Sequence, residues 1–341
     1  MVRITMIRID TDEDLTNTPA RSFLITVDTE GDNLWSQPTQ ITTRNANYLQ
    51  RFQTLCEIHG VRPTYLVNYE MAICPVFREF GRDVLERKVA EIGMHLHAWN
   101  SPPLVPLTAN DSRFHPYLIE YPYELMVAKI TQMTDLLEDT FGEKMVSHRA
   151  GRWAFNEEYA RILAEKGYKV DSSVTPFHSW KKYPGDPSRQ SGTDYYHFPD
   201  DAYLLDLEDI SRPGSSALLE VPVTIIPVPG IKKLRRWNFL SPIFRAFDKL
   251  VPPRWLRARP NNLNVLLYVI QKANRENRHY IQYSLHSSEL MPGGSPKFRE
   301  QSHIDNLYHD MEILFTMVKD RYEGVTLREY HDKFLRYQRT G

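Results

Sequence analysis

Cysteine is almost absent from this 341-residue sequence, which holds only Cys56 and Cys74. Two cysteines exclude a disulfide-stapled secreted framework and fit a reducing compartment. Charge of one sign is lacking too: 42 Lys and Arg stand against 43 Asp and Glu, so no global excess argues for a nucleic-acid partner. No apolar run approaches the ~20 residues of a membrane span. The N-terminus, MVRITMIRIDTDEDLTNTPARS, lacks the basic start and unbroken apolar stretch of a signal peptide. A cytoplasmic location is therefore the expectation. No G-x-G-x-x-G follows the first apolar run, which removes the usual dinucleotide-binding signature.

What is present is an alternation of strand-like and helix-like runs in an ordinary globular composition, 41% hydrophobic and 25% charged. Ser22–Val27, Val61–Val67, Glu91–His97, Lys144–His148, Tyr168–Val174, Leu218–Ile226, Tyr280–Leu285 and Gly324–Leu327 read as strands. Between them lie amphipathic stretches, of which Tyr123–Phe141 has the clearest apolar stripe, and a helix capped by Asn156 that Gly167 stops. Strand–helix alternation of this length predicts an α/β fold, a deformed barrel of about seven parallel strands. It would form one domain over 21–341 behind a polar tail at 1–20, with excursions near 177–216 and 230–260.

In a parallel barrel, chemistry gathers where the strands end. The first strand runs into Thr-Val-Asp-Thr-Glu-Gly-Asp-Asn, with Asp28, Glu30 and Asp32 in five positions. The third ends in His95 and His97, which at i and i+2 project from the same side of a strand. The fourth ends in His148, Arg149, Gly151, Arg152 and Trp153, the fifth in Asp171, and the seventh in His286 and Glu289. Two histidines and one carboxylate suit zinc or another divalent transition metal. The carboxylate is Glu30, or Asp32. A second acid to take a proton from water and a histidine opposite to protonate an amine would complete metal-assisted amide hydrolysis.

These residues resemble the motifs of the polysaccharide deacetylases, the NodB-homology group of carbohydrate esterases, in the family's order from about Phe23 to Leu327. Thr26-Val27-Asp28 is similar to the motif that carries the catalytic base, and Glu91-Ile92-Gly93-Met94-His95 to the metal-binding histidine motif. Arg149 matches the arginine that positions the base, Asp171 the aspartate that tunes the catalytic histidine, and Leu285-His286 the motif of that histidine, the general acid. The resemblance implies a NodB-like barrel that hydrolyses N-acetyl groups on a glycan. Thr29 stands where the family has a second, metal-binding aspartate, and Trp99 stands where it has its second histidine. Glu30 and His97 are the substitutes, giving Glu30, His95 and His97 as ligands of a metal, zinc first. Gly-Arg-Trp after Arg149 and the loop HSSELMPGGSP resemble a divergent subgroup of lipopolysaccharide and surface-glycan synthesis.

Trp99, Arg152, Trp153 and Glu289 are then candidates for substrate contact. The segment Lys232–Arg259 carries nine Lys or Arg among Trp and Phe, against the single acid Asp248. It suits an anionic membrane surface, which would place the protein at the inner membrane face and a lipid-linked sugar within reach. No nucleic-acid module accompanies the charge. Three other readings stay open: a metal-independent amidase of the same fold, a barrel that binds glycan without a metal, and a glycosidase using Asp28 in a carboxylate pair.

Overall fold

The structure, a computed structural model, describes residues 21–36, 40–183, 185, 192–227 and 241–340. The polar tail at 1–20 lies outside them. Among the described residues there are eleven strands: β1 (Arg21–Thr29), β2 (Thr64–Val67), β3 (Glu91–Leu96), β4 (Ser147–Ala150), β5 (Val170–Asp171), β6 (Tyr203–Leu204), β7 (Leu219–Glu220), β8 (Ile225–Ile226), β9 (Arg254–Trp255), β10 (Tyr280–His286) and β11 (Tyr322–Gly324). The expected parallel sheet is present, and it curls. Seven strands run parallel in the order β10-β1-β2-β3-β4-β5-β7, with helices between them. β11 joins the start of β1, and β6 is antiparallel to β7.

Chain that reads as one strand, Leu218–Ile226, is two. Pro222 has no N–H to donate to a ladder, so β7 stops at Glu220 and β8 pairs instead with β9. That pair bridges the gap between β7 and β10: Leu256 N–H donates to Thr224 O (3.0 Å), Ser284 N–H to Leu256 O (3.1 Å) and Ala258 N–H to Ser284 O (3.0 Å). Within the excursion near 177–216, the described residues supply β6.

The period of two along β1 explains the layering. Phe23, Ile25 and Val27 face outward into the core shared with the helices. Leu24 faces inward, where it meets Leu66, Val170 and Leu219 from other strands and Tyr330 from the helix Leu327–Thr340, forming an apolar plug. Thr26 and Asp28, two and four residues further on, rise above that plug toward the strand ends. Register then sets the neighbours: Asp28 lies beside His286, His95 beside Arg149, and His148 beside Asp171.

Gly93 lets β3 sit tightly in this wall, because a Cβ there would lie 2.7 Å from Ser147 O and 2.9 Å from a Leu66 methyl. Gly93→Ala should lower stability by about 1–3 kcal/mol through overpacking. Urea unfolding checks this, and an unchanged midpoint would contradict it.

Candidate active site

Arg149 is fully buried inside the barrel. Its Nη1 donates to Asp28 Oδ1 (2.5 Å), Nη2 to Thr26 Oγ1 (2.8 Å) and Ser172 Oγ (3.0 Å), and Nε to Ser172 O (2.8 Å). The Trp153 ring lies 4.8 Å from its guanidinium carbon. Burial alone would push Asp28 up, but Arg149, then His95 and His286, outweigh it and hold the carboxyl below the usual carboxylate range. Its Oδ2 faces His286 Nε2 at 3.7 Å.

Glu30, His95 and His97 converge on one point, with a ligand atom of each within 4.8 Å of the others. The separations are 3.0 Å from Glu30 Oε2 to His97 Nε2, 3.6 Å to His95 Nε2, and 3.1 Å between the two Nε2 atoms. His95 Nδ1 lies 2.9 Å from Arg149 O, which leaves its Nε2 as the acceptor. Two imidazole nitrogens and a carboxylate oxygen thus face one another at the spacing of tetrahedral zinc ligands, ~3.3 Å apart for ~2.05 Å bonds. The donor set fits a divalent ion. Burial would raise Glu30, yet His95 and His97 beside it hold its carboxyl well below the usual range. Burial, then His95, lowers His97, while Glu30 and Asp28 overcome burial and raise His95.

Asp32 is absent from this group. Its carboxylate accepts from Arg44 N–H (2.8 Å), the Arg44 side chain (3.1 Å) and Thr42 Oγ1 (3.1 Å), fixing a loop. Thr29 is buried and its hydroxyl donates to Val27 O (2.9 Å). Asn45 and Ser287 clamp the Glu30 backbone: Asn45 Nδ2 donates to Glu30 O (2.7 Å), and Glu30 N–H to Ser287 Oγ (3.1 Å).

Asp171 requires a correction. It was expected to orient His286, but its Oδ1 is 2.5 Å from His148 Nδ1 and it also accepts from Ser173 N–H. On this strand end it is Ser172 that points into the barrel, to Arg149 and Gln282, whereas Asp171 shares the opposite face of the sheet with His148 and so is turned away from His286. The acid beside His286 is Glu289, in the turn that follows, with Oε2 3.6 Å from His286 Nδ1 and 2.9 Å from its backbone nitrogen. Burial opposes charge at both. Glu289 nevertheless raises His286, and His286, then Arg257, lowers Glu289. His148, with its other nitrogen 2.8 Å from Tyr159 OH, belongs to the buried framework.

The remaining candidates line the site. Trp99 packs on His97 (5.8 Å between centroids), and its buried Nε1 has no hydrogen-bond partner. Arg152 and Trp153 adopt left-handed backbone (φ 54° and 60°) directly after Gly151, whose missing Cβ lets the turn approach His97. Trp153 stacks on Trp180 at 6.4 Å and lies edge-on to Trp255.

Glu70 was missed by the sequence reading. It is buried and raised by that burial, and it accepts from Gly31 N–H (2.9 Å) and Asn100 (2.7 Å), bracing the Glu30 loop. It follows β2, and reading that strand end like the others would have found it. Of Lys232–Arg259, residues 232–240 lie outside the described ones. In the rest, Arg245 pairs with Asp194 (2.9 Å) and Arg257 turns toward His286. Among the described residues no helix is long and apolar enough to cross a membrane.

Curled sheet and strand-end site together give this chain the fold of the NodB-like polysaccharide deacetylases. No family model and no curated protein matches it. Among solved structures, it is similar to a protein assigned as a polysaccharide deacetylase from Mycobacterium smegmatis, at 15% identity and TM-score 0.52, covering 95% of this chain and 94% of that one. A protein assigned as a glycoside hydrolase/deacetylase from Parabacteroides distasonis aligns at 12% identity and TM-score 0.54, over 92% and 71%. A 4-alpha-glucanotransferase from Thermococcus litoralis aligns at 12% and TM-score 0.50, over 92% and 40%. At these identities the fold is what they share, and side chains must carry the argument about function.

Titrating zinc into the protein should raise its melting temperature, since an ion at about 100 times its Kd stabilises by about 2.7 kcal/mol. Glu30→Gln and His95→Ala should each lose that shift. An equal shift in all three proteins would contradict a site at these residues.

Proposed function

We propose that this protein is a hydrolase that removes N-acetyl groups from a glycan, with Asp28 as general base and His286 as general acid. The observation that carries this reading is that Asp28 Oδ2 and His286 Nε2 face each other across 3.7 Å, beside Glu30, His95 and His97. Arg149 keeps Asp28 ionised and aimed. As water bonds to the acyl carbon, Asp28 takes its proton. As the carbon–nitrogen bond breaks, His286 gives a proton to the departing amine. Glu289 is the positioning residue for His286, favouring its charged form. An ion held by Glu30, His95 and His97, zinc being our first choice, would supply Lewis-acid polarisation of the acyl oxygen. Trp99, Arg152 and Trp153 contribute walls for the sugar.

Glycosidic chemistry on the same fold needs one carboxyl kept protonated as acid and a second ionised across the sugar. Asp28, Glu30 and Glu289 are all held below the usual carboxylate range. Glu70, which is raised, is turned onto Gly31, Asn68 and Asn100. A histidine acid with a carboxylate base suits amide hydrolysis better.

Asp28→Asn and His286→Ala should each lower acetate release from N-acetylglucosamine oligomers by about 10²–10⁴-fold, with circular dichroism unchanged. Near-native turnover in a folded variant would refute the role of that residue. Glu289→Gln should lower kcat more than KM. It removes the group that raises His286, so the acid form is lost sooner and the alkaline limb of the pH profile should move to lower pH. A limb that stays in place would contradict the positioning role.

A further inference from the structure

Three cations crowd one carboxylate at the acid end of the site. Arg257 and Arg259 follow β9 on the chain that bridges β7 and β10, and Lys297 lies in the loop beyond β10. The Arg257 side chain is 13% exposed, with Nη2 3.5 Å from His286 Nδ1 and 3.7 Å from Glu289 Oε1. Its Nε is buried and makes no hydrogen bond. Arg259 is exposed two residues beyond Arg257 on chain held alongside β10, where Ala258 N–H donates to Ser284 O (3.0 Å), and Lys297 is exposed on the loop after Glu289 that Gly293 N–H closes by donating to Phe298 O (2.8 Å). After burial, which also lowers them, Arg257 depresses Arg259, and both arginines depress Lys297, so the three are close enough to repel. Glu289 is the carboxylate that acts on all of them, and it is engaged with His286.

This is a surplus of positive charge in a partly dry wall, with one buried guanidinium donor unspent. Such an arrangement is costly unless an anion meets it. Guanidinium forks match the paired oxygens of carboxylates and phosphates. The same wall continues as aromatic surface. The Arg257 guanidinium lies 5.9 Å from the Trp255 ring, which is edge-on to Trp180 (6.4 Å) and His178 (5.4 Å). Flat aromatic faces beside fixed cations suit a sugar ring that bears an acidic group.

Building on the deacetylase reading, we propose that the glycan carries a carboxylate or phosphate on the unit next to the hydrolysed acetamide, and that Arg257, Arg259 and Lys297 bind it. The site is thereby selective for acidic N-acetylated glycans over neutral ones.

The test compares three probes: a neutral N-acetylglucosamine tetramer, a tetrasaccharide alternating N-acetylglucosamine with glucuronic acid, and N-acetylglucosamine 1-phosphate. Dissociation constants are measured by calorimetry on full-length Asp28→Asn protein, which keeps the probes intact, or on His286→Ala protein should the first not fold. They are measured again with Arg259→Gln and Lys297→Gln added. An acidic probe should bind about tenfold tighter than the neutral one, the gain of one charge-assisted contact. That preference should shrink as salt rises and collapse toward one in the Gln variant. The probe that shows it tells carboxylate from phosphate. Equal affinities for all three probes, or a preference that survives both Gln substitutions, would overturn the proposal. Acetate release by the unsubstituted protein is scored separately. Release without acidic preference sinks the anion site alone. A Gln-sensitive preference without release from any probe sinks the deacetylase reading alone.

Discussion

A single buried ion pair, Arg149 with Asp28, is the constraint on which the rest of the site depends. A guanidinium with no exposure cannot be left with idle donors, because the cost of an unpaired buried charge is several kcal/mol. Here Arg149 spends them on Asp28, Thr26 and Ser172, drawing β4, β1 and the residue after β5 into one polar layer. Gln282 of β10 completes it, donating to Thr26 Oγ1 (3.0 Å) and Ser172 Oγ (2.9 Å). The layer fixes Asp28 in its ionised form and leaves one of its oxygens facing His286. It lies above the apolar plug around Leu24, so the barrel is apolar below and polar above.

A second consequence is division of labour among neighbouring carboxylates. Asp28 is tied to a permanent cation, Glu30 to two histidines, Glu289 to the third histidine and Arg257, and Asp32 to a loop arginine. Each has a different partner, so acids within a few residues of one another can serve different ends. The same logic separates the histidines: His95 is raised by the acids beside it, while His97 and His148 are held down by burial.

Most of the fold was legible because a buried parallel strand is a short apolar run bounded by breakers, and β1 to β5 and β10 read that way. Pro222 was the exception, a visible signal whose effect on the ladder was not drawn. The strand-end rule brought Asp28, Glu30, His95, His97, Arg149 and His286 together without knowledge of any distance. It could not assign partners, because sequence order does not say which strands are adjacent around the barrel. The family resemblance pairs Asp171 with His286, whereas in the fold β5 lies beside β4 and its aspartate meets His148. The true neighbour of His286 was three residues away in its own turn. Arg257 is hidden inside a charge run that reads as a membrane-facing surface, since only the fold shows that one arginine of that run turns inward.

The structural neighbours share this barrel at 12–15% identity, and one of them transfers glucan rather than acyl groups. The shared fold therefore does not decide the chemistry, and the proposal of amide hydrolysis rests on the pairing of Asp28 with His286. Incubation with an N-acetylated oligosaccharide in 18O-labelled water, followed by mass spectrometry of both products, tests that choice directly. The account predicts acetate carrying one solvent oxygen and an oligosaccharide of unchanged chain length bearing a free amine. Solvent oxygen at a new reducing end, or no product at all, would contradict it.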